Sequence, residues 1–404
     1  MNLHSGSPFW RVKNSLFEHT DQLEKDLITE VLIIGSGITG ALVAHELCNA
    51  GIECVVADKR AISGGSTVAS TAQLQYEIDV PLYKLAKKIG EKKATSAYEA
   101  SLQSIADIKV LVDDTGIKAD FEYIPTLLLA SNRIGLRRLK TEFEIRKKHN
   151  LPISFFTSEK LKQDYHIDGH GALWNNTSAQ IDCYKTSTNL LAYHRKRHHL
   201  KLYAYTEIIS YEKLEDGFIA KTQKGLTIRC KYLVIATGFE ASRFLPKKIM
   251  KLISTYALVS QPLSPDQLWT DRCLIWETRQ PYLYLRTTSD NRIMMGGEDI
   301  PFKNDRLRDA QMERKTKILE RKFHRLFKDI PMVTDFTWCG TFSSTDDGLP
   351  YIGEFNEKNR FFALGYGGNG ITFSMIAAQL IKNKILGKKD NRETLFGFDR
   401  TKGS

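Results

Sequence analysis

The sequence predicts an α/β protein in which one domain is discontinuous and a second, mixed α+β domain is interleaved with it. Residues 30–35, 51–57 and 232–238 are short, nearly continuous apolar runs, which are typical of buried parallel strands. A predicted helix over 38–49 joins the first two runs, and this unit of about thirty residues has the length of a right-handed strand–helix–strand crossover. The third run lies far along the chain, so its domain must be built from separate segments.

The two domains are expected to alternate along the chain. The first is predicted to comprise 28–80, 165–250 and 335–390, the second 81–164 and 251–334, and residues 1–27 a polar lead-in. Helical periodicity and strand-like alternation mark the remaining elements. The predicted helices are 81–114, 134–149, 186–197, 304–327 and 370–386, and the predicted strands are 122–130, 152–156, 202–210, 218–222, 227–229 and a strand-rich stretch over 255–300. The segment Trp338–Gly353 is predicted as a glycine-rich loop.

The composition excludes several classes of protein. With 404 residues and 42% hydrophobic content, the chain can bury a large core, so collagen-like and disordered proteins are excluded. Six cysteines without a CxxC pair favour reduced thiols in the cytoplasm over disulfides or a zinc site. The histidines, His194 among them, lack metal-ligand spacing and are expected at the surface. No run of about 18 apolar residues is present, which predicts a protein without a transmembrane segment.

The net charge of +11 favours an anionic partner, which is a nucleic acid, a membrane surface or an anionic cofactor. Basic runs such as 146–149 carry no interleaved aromatic residues that would stack on bases. They fit solvated helix faces. Nucleic acid is therefore not favoured as a partner, although the charge alone does not exclude it.

The first motif with a chemical meaning is Gly35-Ser36-Gly37-Ile38-Thr39-Gly40, between a predicted strand and a predicted helix. Glycines at this spacing permit a tight turn, close approach of the backbone to a pyrophosphate, and close packing of helix on strand. Asp58 follows eighteen residues after Gly40, where a carboxylate can accept hydrogen bonds from ribose hydroxyls. The alternative, a glycine-rich turn without a ligand, leaves Asp58 unexplained, so the motif predicts a dinucleotide site.

Three further segments suit a ligand. Gly64–Gln73 is rich in small hydroxyl residues, which suits a loop that passes close to a cofactor, although an ordinary Ser/Thr turn has the same composition. Thr237 and Gly238 end a buried strand. Gly365–Thr372 leads into the last predicted helix, whose N-terminal N–H groups would stabilise the negative charge of a reduced flavin.

Taken in order, these segments and Trp338–Gly353 resemble the FAD-dependent oxidoreductases of the D-amino acid oxidase family over residues 28–386. The resemblance implies a Rossmann-like FAD-binding domain, with the first motif at the ADP half of FAD and the segments 65–73 and 367–372 beside the isoalloxazine ring. The cofactor contacts that it implies are Gly35, Gly37, Ile38, Thr39, Gly40, Asp58, Lys59, Ser66, Thr67, Ser70, Thr71, Ala72, Gln73, Thr237, Gly238, Gly340, Gly348, Gly368, Asn369, Gly370 and Ile371.

Two departures from the family pattern concern the substrate and the flavin linkage. Phe342 stands where glycine oxidase-like members carry the arginine that binds the substrate α-carboxylate, and a phenyl ring cannot replace a guanidinium. Gly340 stands where some sarcosine oxidases carry the cysteine that forms a thioether to the flavin, and Cys339 is one residue away. The resemblance therefore implies non-covalent FAD and a substrate that is not held as a simple α-amino acid.

The candidate substrate-binding residues are Phe342 together with Tyr282, Tyr284 and Arg286, which alternate onto one face of a predicted strand. The core and rim of a sheet would explain the same alternation. The expected reaction is oxidation of a C–N bond of an amine or amino acid, with hydride transfer to flavin N5 and hydrolysis of the imine, and the sequence identifies no catalytic residue. The alternatives are an FAD-dependent oxidase of a modified tRNA base side chain and a non-catalytic flavin-binding protein. The substrate, the electron acceptor and the oligomeric state stay open.

Overall fold

The computed structural model describes residues 2–14, 17, 21–197, 199–245 and 249–400. Within these ranges the strands form three sheets, of eight, nine and three strands. No helix in this part of the chain is long and apolar enough to cross a membrane.

The eight-stranded sheet contains the three strands that the apolar runs predicted. Leu27–Ile34 lies between Cys54–Ala57 and Thr227–Ile235 and is parallel to both. Its last four residues are buried, as expected for a strand covered on both faces. The other strands of this sheet are Leu200–Tyr203, Ile208–Lys213, Phe218–Thr222, Tyr351–Phe355 and Glu357–Leu364.

Helices with apolar residues on most of their surface pack beside this sheet. Ile38–Asn49 begins after Gly37 and packs between Cys183–Lys196 and Gly370–Ile385. The long helix Glu91–Thr115 also contacts Gly370–Ile385. The helix predicted over 186–197 begins earlier, at Cys183, because the Asp182 side chain caps it by accepting a hydrogen bond from the N–H of Lys185 (2.9 Å).

The nine-stranded sheet forms the second layer. Helix Met312–Leu326 packs on strands Lys251–Ser260, Ile293–Pro301 and Thr334–Ser344. The sheet is completed by His4–Gly6, Thr126–Leu129, Ser154–Phe156, Ala172–Asn175, Leu274–Glu277 and Leu283–Thr287. The three-stranded sheet consists of Gln73–Leu74, Glu122–Tyr123 and Ala179–Gln180. The remaining α-helices are Phe9–Lys13, Leu82–Ile89, Arg133–Lys148, Ser158–Tyr165, Asp305–Asp309 and Glu393–Phe396. The 3₁₀ turns are Ser66–Ala69, Gly238–Phe244, Pro265–Gln267 and Thr270–Arg272.

Sheet membership departs from the predicted domain segments at three places. Strand Thr334–Ser344, expected as loop within the first domain, pairs with Lys251–Ser260 in the nine-stranded sheet. Ala172–Asn175 also belongs to that sheet, and the described part of the lead-in contributes the edge strand His4–Gly6. Glycines and hydroxyl residues made the first of these segments resemble a loop, but nine residues of backbone pairing with a long neighbour stabilise it as a strand.

Candidate cofactor and substrate site

One cavity is lined by residues of both large sheets and of the loops that connect them. Most of the predicted cofactor contacts line it, although they come from segments more than 300 residues apart in sequence. They are Gly35, Gly37, Ile38, Thr39, Asp58, Lys59, Ser66, Thr67, Ser70, Thr71, Ala72, Gln73, Thr237, Gly238, Gly340, Gly368, Asn369, Gly370 and Ile371. Tyr282, Tyr284 and Phe342 from the substrate prediction line it as well.

Gly40 and Gly348, which were expected to contact the cofactor, do not line this cavity. A Cβ at Gly40 would lie 1.9 Å from the carbonyl oxygen of Gly35, so this glycine allows the helix to pack against the strand. Gly348 has φ of +74°, and a Cβ there would lie 2.8 Å from the Val80 side chain. It closes a turn, with its N–H donating to the carbonyl of Thr345 (3.3 Å). Both positions serve the packing of the fold.

Arg286, expected to face the substrate, is buried behind the cofactor loop. Its guanidinium donates to the backbone carbonyls of Thr71, Ala72 and Ile181, at 2.9, 2.8 and 2.9 Å. Burial lowers the pKa of the group to about 10. These three bonds come from Nη1, Nε donates to the carbonyl of Thr287 (3.0 Å), and Arg286 does not line the cavity, so we assign it as a positioning residue.

Asp58 holds the glycine turn between strand Leu27–Ile34 and helix Ile38–Asn49. One carboxylate oxygen accepts from the backbone N–H and the hydroxyl of Ser36, at 2.8 and 2.7 Å, and the other accepts from the N–H of Arg60 at 2.9 Å. Carboxylate oxygens accept more than one bond each, so Asp58 can also receive ribose hydroxyls. The structure adds a role that the motif did not predict, which is to shape the glycine turn.

The cofactor loop, residues 66–73, is held by three buried side chains from distant parts of the chain. Trp338 donates to the carbonyl of Ala69 (2.8 Å), and Trp10 to that of Ser70 (2.6 Å). Arg286, which donates to the carbonyls of Thr71 and Ala72, is the third of these side chains. Ala72 adopts φ of +56°, a conformation that costs free energy in a residue with a Cβ, and these donors keep the loop in that form.

The loop before the last helix is tied to the segment 75–79. The Asn369 amide donates to the carbonyls of Gln75 (3.2 Å) and Glu77 (2.8 Å). The Asp79 carboxylate accepts from the N–H of Gly368 (2.8 Å). As a result, the N-terminus of Gly370–Ile385 is presented to the cavity by a braced loop.

Unpartnered polar atoms test whether this cavity fits FAD. Six side chains that line it have buried polar atoms without a hydrogen-bond partner, namely Gln73 Nε2, Glu77 Oε2, Thr237 Oγ1, Trp276 Nε1, Asp299 Oδ1 and Tyr366 Oη. Buried polar groups are nearly always satisfied in folded proteins. Two helix N-termini, at Ile38 and Gly370, face the same cavity, which suits pyrophosphate and a reduced flavin ring. The residues present therefore fit FAD.

The cationic side chains of the cavity gather near Asp58. Lys59 and Arg60 both bind Glu240, at 2.7 and 2.8 Å, and Arg243 binds Glu207 at 3.0 Å. Among the described lining residues, no other lysine or arginine is present. We call this region the ADP end.

The opposite region, which we call the substrate end, is formed by Asp79, Trp276, Tyr282, Tyr284 and Asp299, with Thr255 and Phe342 beside them. The Tyr282 hydroxyl donates to Asp79 (3.4 Å), and the Tyr284 and Thr255 hydroxyl oxygens lie 3.2 Å apart. Burial raises the pKa of Asp79 and raises that of Asp299 to about 6. This region combines two carboxyl groups with three aromatic rings.

Sequence analysis missed Asp79, Trp276 and Asp299. One signal was available for Asp299, since Gly296 and Gly297 precede it within a strand, and glycines in a strand often mark a bulge that redirects a side chain. Asp79 and Trp276 belong to no motif. Only the fold brings them to the same cavity as Tyr282.

Comparison with known proteins supports this geometry. The chain is 25% identical over 394 residues to the glycine oxidase of Geobacillus kaustophilus, covering 91% of this chain and 94% of that one. It is 22% identical to the gamma-glutamylputrescine oxidoreductase of Escherichia coli, covering 96% and 90%. The crystal structure of the Geobacillus glycine oxidase superposes with a TM-score of 0.79 at 20% identity, covering 92% of this chain and 98% of that one.

The family assignment comes from a family model rather than from any single relative. The model for DAO, the FAD-dependent oxidoreductases, matches residues 30–383. That match covers every segment that lines the cavity except Leu3. The chain therefore belongs to the DAO family of FAD-dependent oxidoreductases.

Proposed function

We propose that this enzyme oxidises the C–N bond of an amine that carries no carboxylate next to the reacting carbon. The observation that carries this proposal is the chemistry of the substrate end. Asp79 and Asp299 line it together with aromatic rings, and the described lining residues there include no arginine or lysine. Carboxyl groups and aromatic faces attract ammonium groups and disfavour carboxylates.

The residues of the ADP end and of the cofactor loop would hold FAD. Asp58 would accept from the ribose, the N-terminus of Ile38–Asn49 would receive the pyrophosphate, and the N-terminus of Gly370–Ile385 would face the ring. When bound, FAD accepts a hydride at N5 from the carbon next to nitrogen, and water hydrolyses the resulting imine. The protein orients the amine, and removal of the ammonium proton exposes the nitrogen lone pair. That proton passes to solvent water, and no side chain is assigned as its acceptor.

Exclusion of amino acids follows from the cost of burying an unpaired charge. Phe342 offers only apolar contact in the position beside Ile253 on the neighbouring strand, and Arg286 is fully engaged with backbone carbonyls. A carboxylate entering this region would lose water without gaining a cationic partner, and would also face Asp79 and Asp299. Such a charge is strongly disfavoured.

The two alternatives are less well supported. Membership of an enzyme family whose relatives include an oxidase and an oxidoreductase argues against a non-catalytic flavin-binding protein. A modified tRNA base side chain would bring phosphates toward a cavity end that holds two carboxyl groups. Salt-dependent binding of tRNA to the FAD-loaded protein would support that alternative.

The test is anaerobic stopped-flow reduction of the bound flavin. We expect butylamine and N-methylbutylamine to bleach the flavin at least about tenfold faster than glycine or D-alanine at equal concentration, because a tenfold rate ratio corresponds to about 1.4 kcal/mol of discrimination. Faster reduction by glycine or D-alanine would overturn the preference for amines.

We expect the FAD to be held without a covalent bond. Cys339 is buried against Asp309, its Sγ 3.3 Å from a carboxylate oxygen, and does not line the cavity. Cys183 lines the cavity, but burial raises the pKa of its thiol, so it stays protonated and weakly nucleophilic. Acid precipitation should release intact FAD into the supernatant, and flavin that stays in the pellet would contradict this expectation.

The cytoplasmic location also stays a prediction.

A further inference from the structure

A β-bulge directs Asp299 into the substrate end. Along the pairing of Lys251–Ser260 with Ile293–Pro301, Tyr256 is opposite Gly297 and Ser254 is opposite Ile300. Two residues, Glu298 and Asp299, therefore face one on the partner strand. Glu298 adopts φ of +59°, and bulges of this kind redirect side chains next to functional sites.

Glu298, the residue with the positive φ, is held by ion pairs from the helix that packs on the sheet. Glu298 binds Lys315 at 3.0 Å and Lys322 at 2.8 Å, and both lysines belong to helix Met312–Leu326. These ion pairs keep Glu298 on the helix side of the sheet. The next residue, Asp299, consequently faces the cavity.

Asp299 is only partly satisfied by the protein, through a hydrogen bond from the hydroxyl of Thr255. Its Oδ1 is buried and has no hydrogen-bond partner. The charged groups that face it are Asp79 and Glu298, which raise its pKa, and Lys315, whose ammonium is engaged by Glu298 and lowers it only weakly. A buried carboxylate that the fold positions at some cost and leaves unpaired indicates a cationic ligand.

Aromatic rings line the cavity together with the two carboxyl groups. The ring centroids of Trp276 and Tyr282 lie 6.1 Å apart, and those of Tyr282 and Tyr284 lie 5.7 Å apart. Both Asp79 and Asp299 act on Tyr282 and raise its pKa, so this ring lies within reach of both charges. A short alkyl chain with a cation at each end would contact rings along its length and a carboxylate at its ends.

We propose that Asp79 and Asp299 together select a diamine, so that one amino group is oxidised while the second stays protonated and bound. This inference rests on the proposed function. The reacting amino group must lose its proton, after which it can no longer balance a buried carboxylate. A neutral monoamine would therefore supply no cation to either carboxyl group, which is costly, whereas the second ammonium group of a diamine balances one of them.

The experiment compares butylamine with 1,4-diaminobutane on the FAD-loaded protein. Apparent Kd values are taken from the concentration dependence of anaerobic flavin reduction. We expect the diamine to bind at least about tenfold more tightly, in line with one added charge-assisted hydrogen bond. In Asp299→Asn the ratio of the two Kd values should fall below about threefold, with flavin content unchanged.

The matched control is Asp329→Asn, which removes an exposed carboxylate far from the cavity lining and should leave the ratio unchanged. Equal Kd values for the two amines, or an unchanged ratio in Asp299→Asn, would overturn the diamine inference while monoamine oxidation still stands. Flavin reduction by glycine and by neither amine would instead overturn the proposed function itself.

Discussion

The two ends of the cavity are built in different ways. At the ADP end, most functional residues lie within about thirty residues of one another, in the strand–turn–helix unit that begins at Leu27 and the strand that ends at Ala57. Its cations are already paired with Glu240 and Glu207. At the substrate end, Asp79 lies about 200 residues before Trp276 and Asp299 in the sequence, and at least one carboxylate oxygen has no partner.

This difference shows where binding specificity resides in the molecule. The ADP end binds a constant group through the backbone, so its geometry is encoded by glycines and one carboxylate at fixed spacing. The substrate end must suit one substrate, and side chains that the sheets bring together determine its charge. Variation there changes the substrate without disturbing the fold, since function resides in sites carried by folds.

The largest effect is expected at Gly40, where the ADP end depends on backbone contact. In Gly40→Ala the new methyl group meets the carbonyl of Gly35, and overpacking against rigid backbone costs about 1–3 kcal/mol or more. We expect a loss of FAD and a marked fall in the thermal midpoint. Gly370→Ala, where a Cβ meets nothing within 4 Å, is the matched control for stability. Equal midpoints for the two variants would show that the close contact is not limiting.

Arg286 tests whether the nine-stranded sheet supports the cofactor loop. Arg286→Met keeps the length and apolar contact of the side chain but removes four hydrogen bonds to backbone carbonyls, three from Nη1 and one from Nε. Leaving such acceptors unsatisfied costs about 1–3 kcal/mol, so FAD affinity should fall by about tenfold or more. The ratio of amine to glycine reduction rates should stay constant. A selective change in that ratio would restore Arg286 as a substrate residue.

Asp58 separates the shaping of the turn from contact with the cofactor. Asp58→Ala should weaken FAD binding by about 1.5–3 kcal/mol, the range for a lost charged hydrogen bond. Ser36→Ala removes one of the three donors to Asp58 but leaves its carboxylate available to ribose, and should have a smaller effect. If both variants bind FAD equally, as measured by fluorescence titration, the ribose contact is absent.

The smallest effect at neutral pH concerns a histidine pair beneath the ADP end. His45 Nδ1 and His194 Nε2 lie 2.9 Å apart, and burial lowers the pKa of His45 to about 3 and that of His194 to about 4. Since both folded-state values lie below the ordinary 6.5, their stabilisation is present above pH 6.5 and is lost as the pH falls toward 4. At pH 5.5 His45 alone should lower the free energy of unfolding by about 1.4 kcal/mol.

The measurement is denaturant unfolding between pH 4 and 8. His45→Asn removes the titrating group and should flatten the acid limb of the stability curve. An unchanged acid limb in this variant would assign the acid sensitivity to other groups.

His194 was expected at the surface, but it is buried because the helix Cys183–Lys196 packs against Ile38–Asn49.

The sequence determined the strand–turn–helix unit and the parallel strands beside it, and most of the residues that it predicts as cofactor contacts line one cavity, because these features depend on short-range periodicity and on glycines that the local geometry requires. It also determined that Phe342 cannot act as a carboxylate-binding arginine. Only the tertiary structure decided that Arg286 lies behind the cofactor loop, that residues 334–344 form a strand, and that Asp79 and Asp299 share one cavity. Those outcomes depend on contacts between segments far apart in sequence, and the free energy of such contacts leaves no periodic signal along the chain.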